Sequence, residues 1–212
     1  MNKGFTLIEF IVILSIFAIM AAVALFNFSG FRANVGVNNL THDITLTIRQ
    51  AQVFGWSTTS GVIDATADPE RRAQGVVFPY QNGEWARSFI LYSKGTPGSL
   101  AAYEGTPPDV VADTISIQGP NHIADIRTAD SRTDLLIDDT SHQLATGNSQ
   151  PVTQDFSVAF SRPRPEAMFF SASNQLIDPS SDFVGIYVAA DATPNQLEKV
   201  IIISRLGEIE VQ

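Results

Sequence analysis

From Phe10 to Phe31 the chain runs for 22 residues without a charge, interrupted only by Ser15, Asn27, Ser29 and Gly30. As a helix, that run would extend roughly 33 Å at about 1.5 Å per residue, the thickness of a bilayer's hydrocarbon core. The pattern then changes without losing its helical period. Leu40, Ile44, Ile48, Ala51 and Phe54 recur at spacings of four, four, three and three, opposite a polar face of Asn39, Thr41, Asp43, Thr47 and Gln50. Gly55 follows as a C-cap. The spacing predicts one broken helix from about Phe5 to Phe54, apolar all round in its first half and one-sided in its second. Its soft point falls at Asn27–Gly30, since glycine costs about 1 kcal/mol in a helix interior. A helix that merely tolerates Gly30 and Gly36 is the equal alternative.

Beyond Trp56 the period becomes two. Thr114–Gln118 alternates around Ile115 and Ile117, Asp155–Ser161 puts Phe156, Val158 and Phe160 on one face, and Glu208–Gln212 alternates around Ile209 and Val211. Short apolar runs at Val76–Phe78, Phe89–Tyr92, Met168–Phe170, Phe183–Val188 and Val200–Ile203 suit more deeply buried strands. Arg205-Leu206-Gly207 reads as a hairpin turn in which Gly207 takes positive φ. Ser57–Arg72 and Ser93–Asp113 carry no clear pattern, the second being rich in glycine and proline, and both read as surface loops. The expected class is α+β, a long N-terminal helix packed on an antiparallel β-sheet or β-sandwich head.

The first residues add a chemical signal. Lys3 and Gly4 are followed by Phe5, Thr6, Leu7, Ile8 and Glu9, a short apolar segment holding one carboxylate ahead of the uncharged run. A carboxylate deep in a bilayer costs on the order of 2.5–3.5 kcal/mol, so Glu9 calls for a cation. This string resembles the class III signal of type IV pilins and type II secretion pseudopilins. The resemblance implies cleavage after Gly4 by a prepilin peptidase and N-methylation of the new terminal Phe5. It also implies pairing of Glu9 with the Phe5 amine of a neighbouring subunit during assembly. The long helix, Arg49-Gln50-Ala51-Gln52 near its end and a closing hairpin through Gly207 resemble the minor pilin and pseudopilin group with a β-sandwich head. The implied organisation is a leader at 1–4, a transmembrane and stalk helix at 5–56 and a globular antiparallel β head at 57–212. The implied partners are other subunits, the peptidase, an inner-membrane assembly platform and lipid. The implied location is the bacterial inner membrane, single-pass with the head outside the cytoplasm, and then a pilus or periplasmic pseudopilus.

Two other readings of the N-terminus compete. One is a general secretory signal with Lys3 as its basic region, Phe10–Met20 as its apolar region and Ala22-Val23-Ala24 as its cleavage site. The other is a plain single-pass anchor. Both leave Glu9 unexplained. Either would make the product a secreted or anchored β-sandwich binding module.

Composition narrows the head's chemistry. At 212 residues the chain suits one stalk and one domain. A net charge of -9, from 22 acidic and 13 basic side chains, disfavours nucleic acid as a partner. A tip pilin capturing DNA or an adhesion target stays as an alternative, but Glu208 and Glu210 follow Arg205 and leave it the lone basic residue at the C-terminus, and Arg71-Arg72 and Arg162-Pro163-Arg164 have acidic neighbours. With no cysteine there is neither a disulfide nor a thiolate metal site, so the C-terminal region must be held by packing or an ion. The acidic stretch Glu104–Asp155 reads first as a solvated face. Calcium on pairs such as Asp138 with Asp139, or Asp178 with Asp182, is the sharper alternative, although no loop has calcium-loop spacing. His42, His122 and His142 lie far apart in polar surroundings, and no nucleophile elbow, metalloprotease helix or phosphate loop occurs. No catalytic residues, cofactor or metal ligands are expected, and the chain reads as a non-enzyme.

Overall fold

The computed structural model describes residues 6–56, 73–94, 109–138, 140–144, 147–161, 164–171, 177, 181–190 and 198–212, and the side chains of all of these except 24–31, 161, 164 and 165. Among the described residues one α-helix, α1 (Leu7–Trp56), precedes twelve strands: β1 (Gln74–Phe78), β2 (Tyr80–Gln81), β3 (Glu84–Trp85), β4 (Ser88–Ser93), β5 (Val110–Ser116), β6 (Asn121–Ala129), β7 (Gln150–Pro151), β8 (Phe156–Ser161), β9 (Arg164–Ser171), β10 (Phe183–Ala190), β11 (Lys199–Ser204) and β12 (Ile209–Val211). They form two five-stranded antiparallel sheets, β5-β4-β1-β8-β9 and β12-β11-β10-β6-β7, beside the β2-β3 hairpin. The architecture is α+β, with the helix packed on a β-sheet head.

Period two places the apolar side chains in rows across the strands. In the first sheet Leu91, Val76, Val158 and Phe169 pair in succession, and all four are buried. Phe78 pairs with Phe156, their rings 6.3 Å apart, and Phe156 lies 6.2 Å from Phe169. In the second sheet Ile126, Ile186 and Ile201 form the corresponding row, each fully buried. Such cross-strand pairs are the units that stabilise a sheet. Both rows join one core with Ala33, Val37, Leu40, Ile44, Ile48 and Ala51 of α1, which packs on β1, β4 and β8 of the first sheet and on β6, β10 and β11 of the second. At roughly 1.5–3 kcal/mol for each large apolar side chain buried, this shared core holds the stalk to the head.

The hydroxyls on the buried helix face are satisfied without water. Thr41 donates to the Val37 carbonyl and Thr45 to that of Thr41, each at 2.8 Å. This back-bonding lets polar residues enter an apolar interface at little cost.

Several expectations change. The helix continues through Gly55 to Trp56, and helical structure runs through Gly30 and Gly36 as well. Gly55 is therefore a close-approach residue and not a C-cap: a Cβ there would stand 2.7 Å from the Phe160 carbonyl oxygen of β8. Gly36 likewise has a packing reason, because a Cβ would collide with the buried Asn121 amide. The expected Ser93–Asp113 loop gives way at both ends, to β4 at Ser93 and to β5 from Val110. His122, expected in a loop, lies in β6. The Ser57–Arg72 expectation falls outside the described residues.

Each sheet also has a covered outer face. Behind the second sheet, the 3₁₀ helix Arg132–Leu135 packs with Tyr187, Val200 and Ile202, and the Tyr187 hydroxyl donates to the Leu135 carbonyl at 2.8 Å. Behind the first sheet, a Cβ on Gly75 would collide with the phenol of Tyr92, so that ring lies over the glycine. Near it Lys94 Nζ and Asp109 Oδ1 form an ion pair at 3.2 Å whose side chains are almost wholly buried.

Candidate assembly interface on the N-terminal helix

The start of α1 is built by its own sequence. Thr6 precedes the first helical residue, and its hydroxyl oxygen accepts from the Glu9 amide at a long 3.4 Å, while its carbonyl accepts from the Phe10 amide at 3.2 Å. Thr6-Leu7-Ile8-Glu9 therefore has the sequence of a capping box, with threonine at the N-cap and glutamate three residues on. That placement puts the Glu9 carboxylate in the first turn, where the helix's unpaired N–H groups favour negative charge. The helix terminus supplies part of the positive field that Glu9 needs, a contribution that charge counting along the chain overlooked.

Beyond the cap, the apolar half is bare. Leu7, Ile8, Phe10, Ile11, Val12, Ile13, Leu14, Ile16, Phe17, Ile19, Met20 and Val23 are 49–78% exposed. A folded soluble surface seldom shows such a large contiguous apolar area unless it meets a membrane or another protein. The exposed Ser15 hydroxyl donates to the Ile11 carbonyl at 2.8 Å, so this turn of helix could enter an apolar medium without orphaning that hydroxyl. Among the described residues no helix is long and apolar enough to cross a membrane. The part of the uncharged run with described side chains, Phe10–Val23, is 14 residues, against the roughly 20 of a typical span. Gly4 and Phe5 lie outside the described residues.

Two sequence features named separately meet in space. Gln52, from the Arg49-Gln50-Ala51-Gln52 segment, donates through Nε2 to the Gly207 carbonyl at 2.9 Å, tying the end of α1 to the closing hairpin. Gly207 has a φ of 87°, and its amide donates to the Ser204 carbonyl at 2.9 Å, as expected for that turn.

The other candidate residues do not converge. His42 is exposed on the stalk, His142 is exposed in a turn at a φ of 51°, and His122 is half-buried in β6. Among the described residues no three histidine or carboxylate side chains come together in a metal-holding group. Asp138 is committed to its own turn: Oδ1 accepts from the Thr140 amide at 2.7 Å, the Ser141 amide at 2.9 Å and the Thr140 hydroxyl. The Thr140 hydroxyl, aided by those amides, holds its pKa down at about 2. Asp139 and Asp178 lie outside the described residues. Arg205 lies 4.0 Å from Asp182 and donates to the Ser181 carbonyl, while Glu210 pairs with Arg132. Burial raises the phenols of Tyr92 and Tyr187 well above their ordinary range, as suits core residues. A cavity of about 400 Å³ between β2-β3 and β6 is lined by Tyr80, Trp85, Arg87, His122 and Asp125, but Arg87 is bonded to the Gly119 and Asn121 carbonyls and Asp125 to Arg127.

The molecule is thus a β head carrying a helix whose apolar end is exposed among the described residues. Residues 1–25 match the family described as the Prokaryotic N-terminal methylation motif, the signature of type IV pilins and pseudopilins, and the β-sheet head is compatible with it. This match supports a type IV pilin-like or pseudopilin subunit that assembles with other pilin subunits and is processed by prepilin peptidase. Compared with curated proteins and with solved structures, the chain finds no match.

Proposed function

We propose that the chain is a structural, non-enzymatic subunit of a type IV pilus or type II secretion pseudopilus. It is cut after Gly4, methylated at Phe5 and held single-pass in the bacterial inner membrane with the head outside the cytoplasm. From there the assembly platform adds it to a filament through α1. The observation that carries this reading is the methylation motif at residues 1–25 running directly into an exposed apolar helix. Glu9 acts in assembly: its carboxylate pairs with the Phe5 amine of another subunit, which offsets its desolvation when the helices pack together.

Intact mass and the fate of Glu9 test this. The mature protein should begin at Phe5 and carry a methyl group, and Gly4→Val should block the cut. Glu9→Gln and Glu9→Leu should both be processed and stay in the membrane, yet enter sheared filaments or the pseudopilus far less than wild type. A mature chain beginning near Leu25 would replace this reading with a secreted head. Equal incorporation of Glu9→Leu would remove the pairing role.

A further inference from the structure

The β2-β3 hairpin and β6 flank the cavity of about 400 Å³, and no residue of α1 lines it. Its size falls within the roughly 300–1,000 Å³ of small-ligand sites. The sequence builds its walls separately. Asn82 and Gly83 turn the hairpin so that Tyr80 pairs with Trp85, and their rings meet edge to face at 4.9 Å. The Tyr80 amide donates to Asp155 Oδ1 at 2.6 Å and its hydroxyl to the Gly83 carbonyl at 2.8 Å, so this aromatic wall is fixed in place. On β6 the register against β10 shifts: Asp125 pairs with Tyr187 and Ile123 with Val188, which leaves Ala124 as an extra residue. A bulge of this kind re-aims side chains. Here it keeps Ile123 and Ile126 in the core and puts His122 and Asp125, three residues apart, on the other side of the strand, and both line the cavity.

We propose that this cavity binds a saccharide, with the C–H side of a neutral sugar ring against the Tyr80–Trp85 wall and its hydroxyls donating to Asp125, Glu84 and the Tyr80 oxygen. The hydrogen-bonding capacity there favours a ligand that brings donors. Asp125 accepts from Arg127 Nε at 2.7 Å and from the Ile126 amide at 2.9 Å, which uses two of the about four lone-pair positions of a carboxylate. The Tyr80 hydroxyl gives its proton to Gly83 and can still accept, and the exposed Glu84 adds a second carboxylate. The ligand need not bring charge. Within the lining Arg87 offsets Glu84, and Arg127 pairs with Asp125. The guanidinium of Arg87, held on the Gly119 and Asn121 carbonyls, opposes an ammonium group, and the two carboxylates oppose a phosphate. A sugar combines several O–H donors and an apolar ring face without net charge, and aromatic rings supply the large flat surface that such a face buries against. Because the site is built without α1, the proposal stands or falls separately from the filament reading.

The test titrates the full-length chain, in a detergent without a sugar headgroup, with N-acetylglucosamine, glucose and galactose at millimolar concentrations. Saturation-transfer NMR reads contact with the sugar ring protons. Trp85 emission in a Trp56→Phe background gives the affinity, these being the two tryptophans of the chain. The expected result is saturable binding of at least one of the three sugars, with an affinity that salt does not change, as a neutral ligand requires. Glu84→Gln and Tyr80→Leu should each weaken it by about fivefold or more while keeping the wild-type circular dichroism spectrum. Glu84 is exposed, so Glu84→Gln carries the test if Tyr80→Leu disturbs the hairpin. Glu208→Gln, at an exposed position outside the cavity, should leave binding unchanged. Absence of saturable binding of all three sugars, or binding that both cavity variants leave intact, would overturn the site. Tighter binding of N-acetyl-lysine methylamide or of inorganic phosphate than of any of the sugars would overturn the saccharide assignment.

Discussion

The two halves of α1 are both rich in apolar side chains, yet one is covered by its own chain and the other is not. Between Ala33 and Ala51, six apolar residues share one face and enter the shared core, while Val35 and Leu46 stay exposed on the other side. Between Leu7 and Val23 they occupy every face and stay exposed. The difference lies in arrangement: a one-sided stripe fits a sheet, and an all-round surface needs an all-round apolar environment that a single head cannot provide. Folding free energy should therefore reside in the second half, and membrane retention and assembly in the first.

The strongest attack on that division is Ile48→Asp, which places a carboxylate where no water reaches. It should cost more than about 4 kcal/mol and unfold the head, read by circular dichroism. A smaller effect sharpens the same contrast. Alanine normally gains about 1 kcal/mol over glycine within a helix. At Gly55 the new methyl meets the β8 backbone at Phe160, and Gly55→Ala should instead lose about 1–3 kcal/mol as an overpacked site. At Gly36 the obstacle is the Asn121 side-chain amide, which can turn aside, so Gly36→Ala should stay within about 1 kcal/mol of wild type. Chemical denaturation of both variants gives the order. In the bare half, Phe17→Asp should leave the head's unfolding within about 0.5 kcal/mol of wild type while releasing chain from the membrane fraction.

The smallest effect lies in a turn that touches neither half. The Asp138 carboxyl, held at about 2 against an ordinary 3.8, favours the folded turn only while ionised. Its contribution is complete above about pH 4 and fades as the pH falls through 2. Carboxyl NMR should place its titration near 2, and Thr140→Val should move it upward.

What the sequence made legible follows where its periods were unbroken. Phe156, Val158 and Phe160 alternate without interruption and line the core face of β8. The stripe from Leu40 to Ala51 docks as its spacing implied. β6, a central strand, escaped notice because the register of its pairing with β10 shifts between Tyr187 and Val188. That irregularity brings Ile123 and Ile126, three residues apart, into the same core and removes the two-residue alternation. The β2-β3 hairpin did carry a signal: Asn82 and Gly83 have φ of 56° and 88°, the pairing characteristic of a tight two-residue turn. The capping box at Thr6 was equally readable. The burial of Lys94 and Asp109 was not, since nothing along the chain marks which two charges a fold will bring together out of water.

The division of α1 is tested most directly by the fragment Arg32–Gln212, which keeps the docked stripe and removes the bare half. It should be a soluble monomer without detergent, unfolding in one transition at the midpoint the full chain shows in detergent. A fragment that aggregates, or that unfolds more than about 10 °C lower, would mean that the bare half helps to hold the head, contradicting the division of labour along α1.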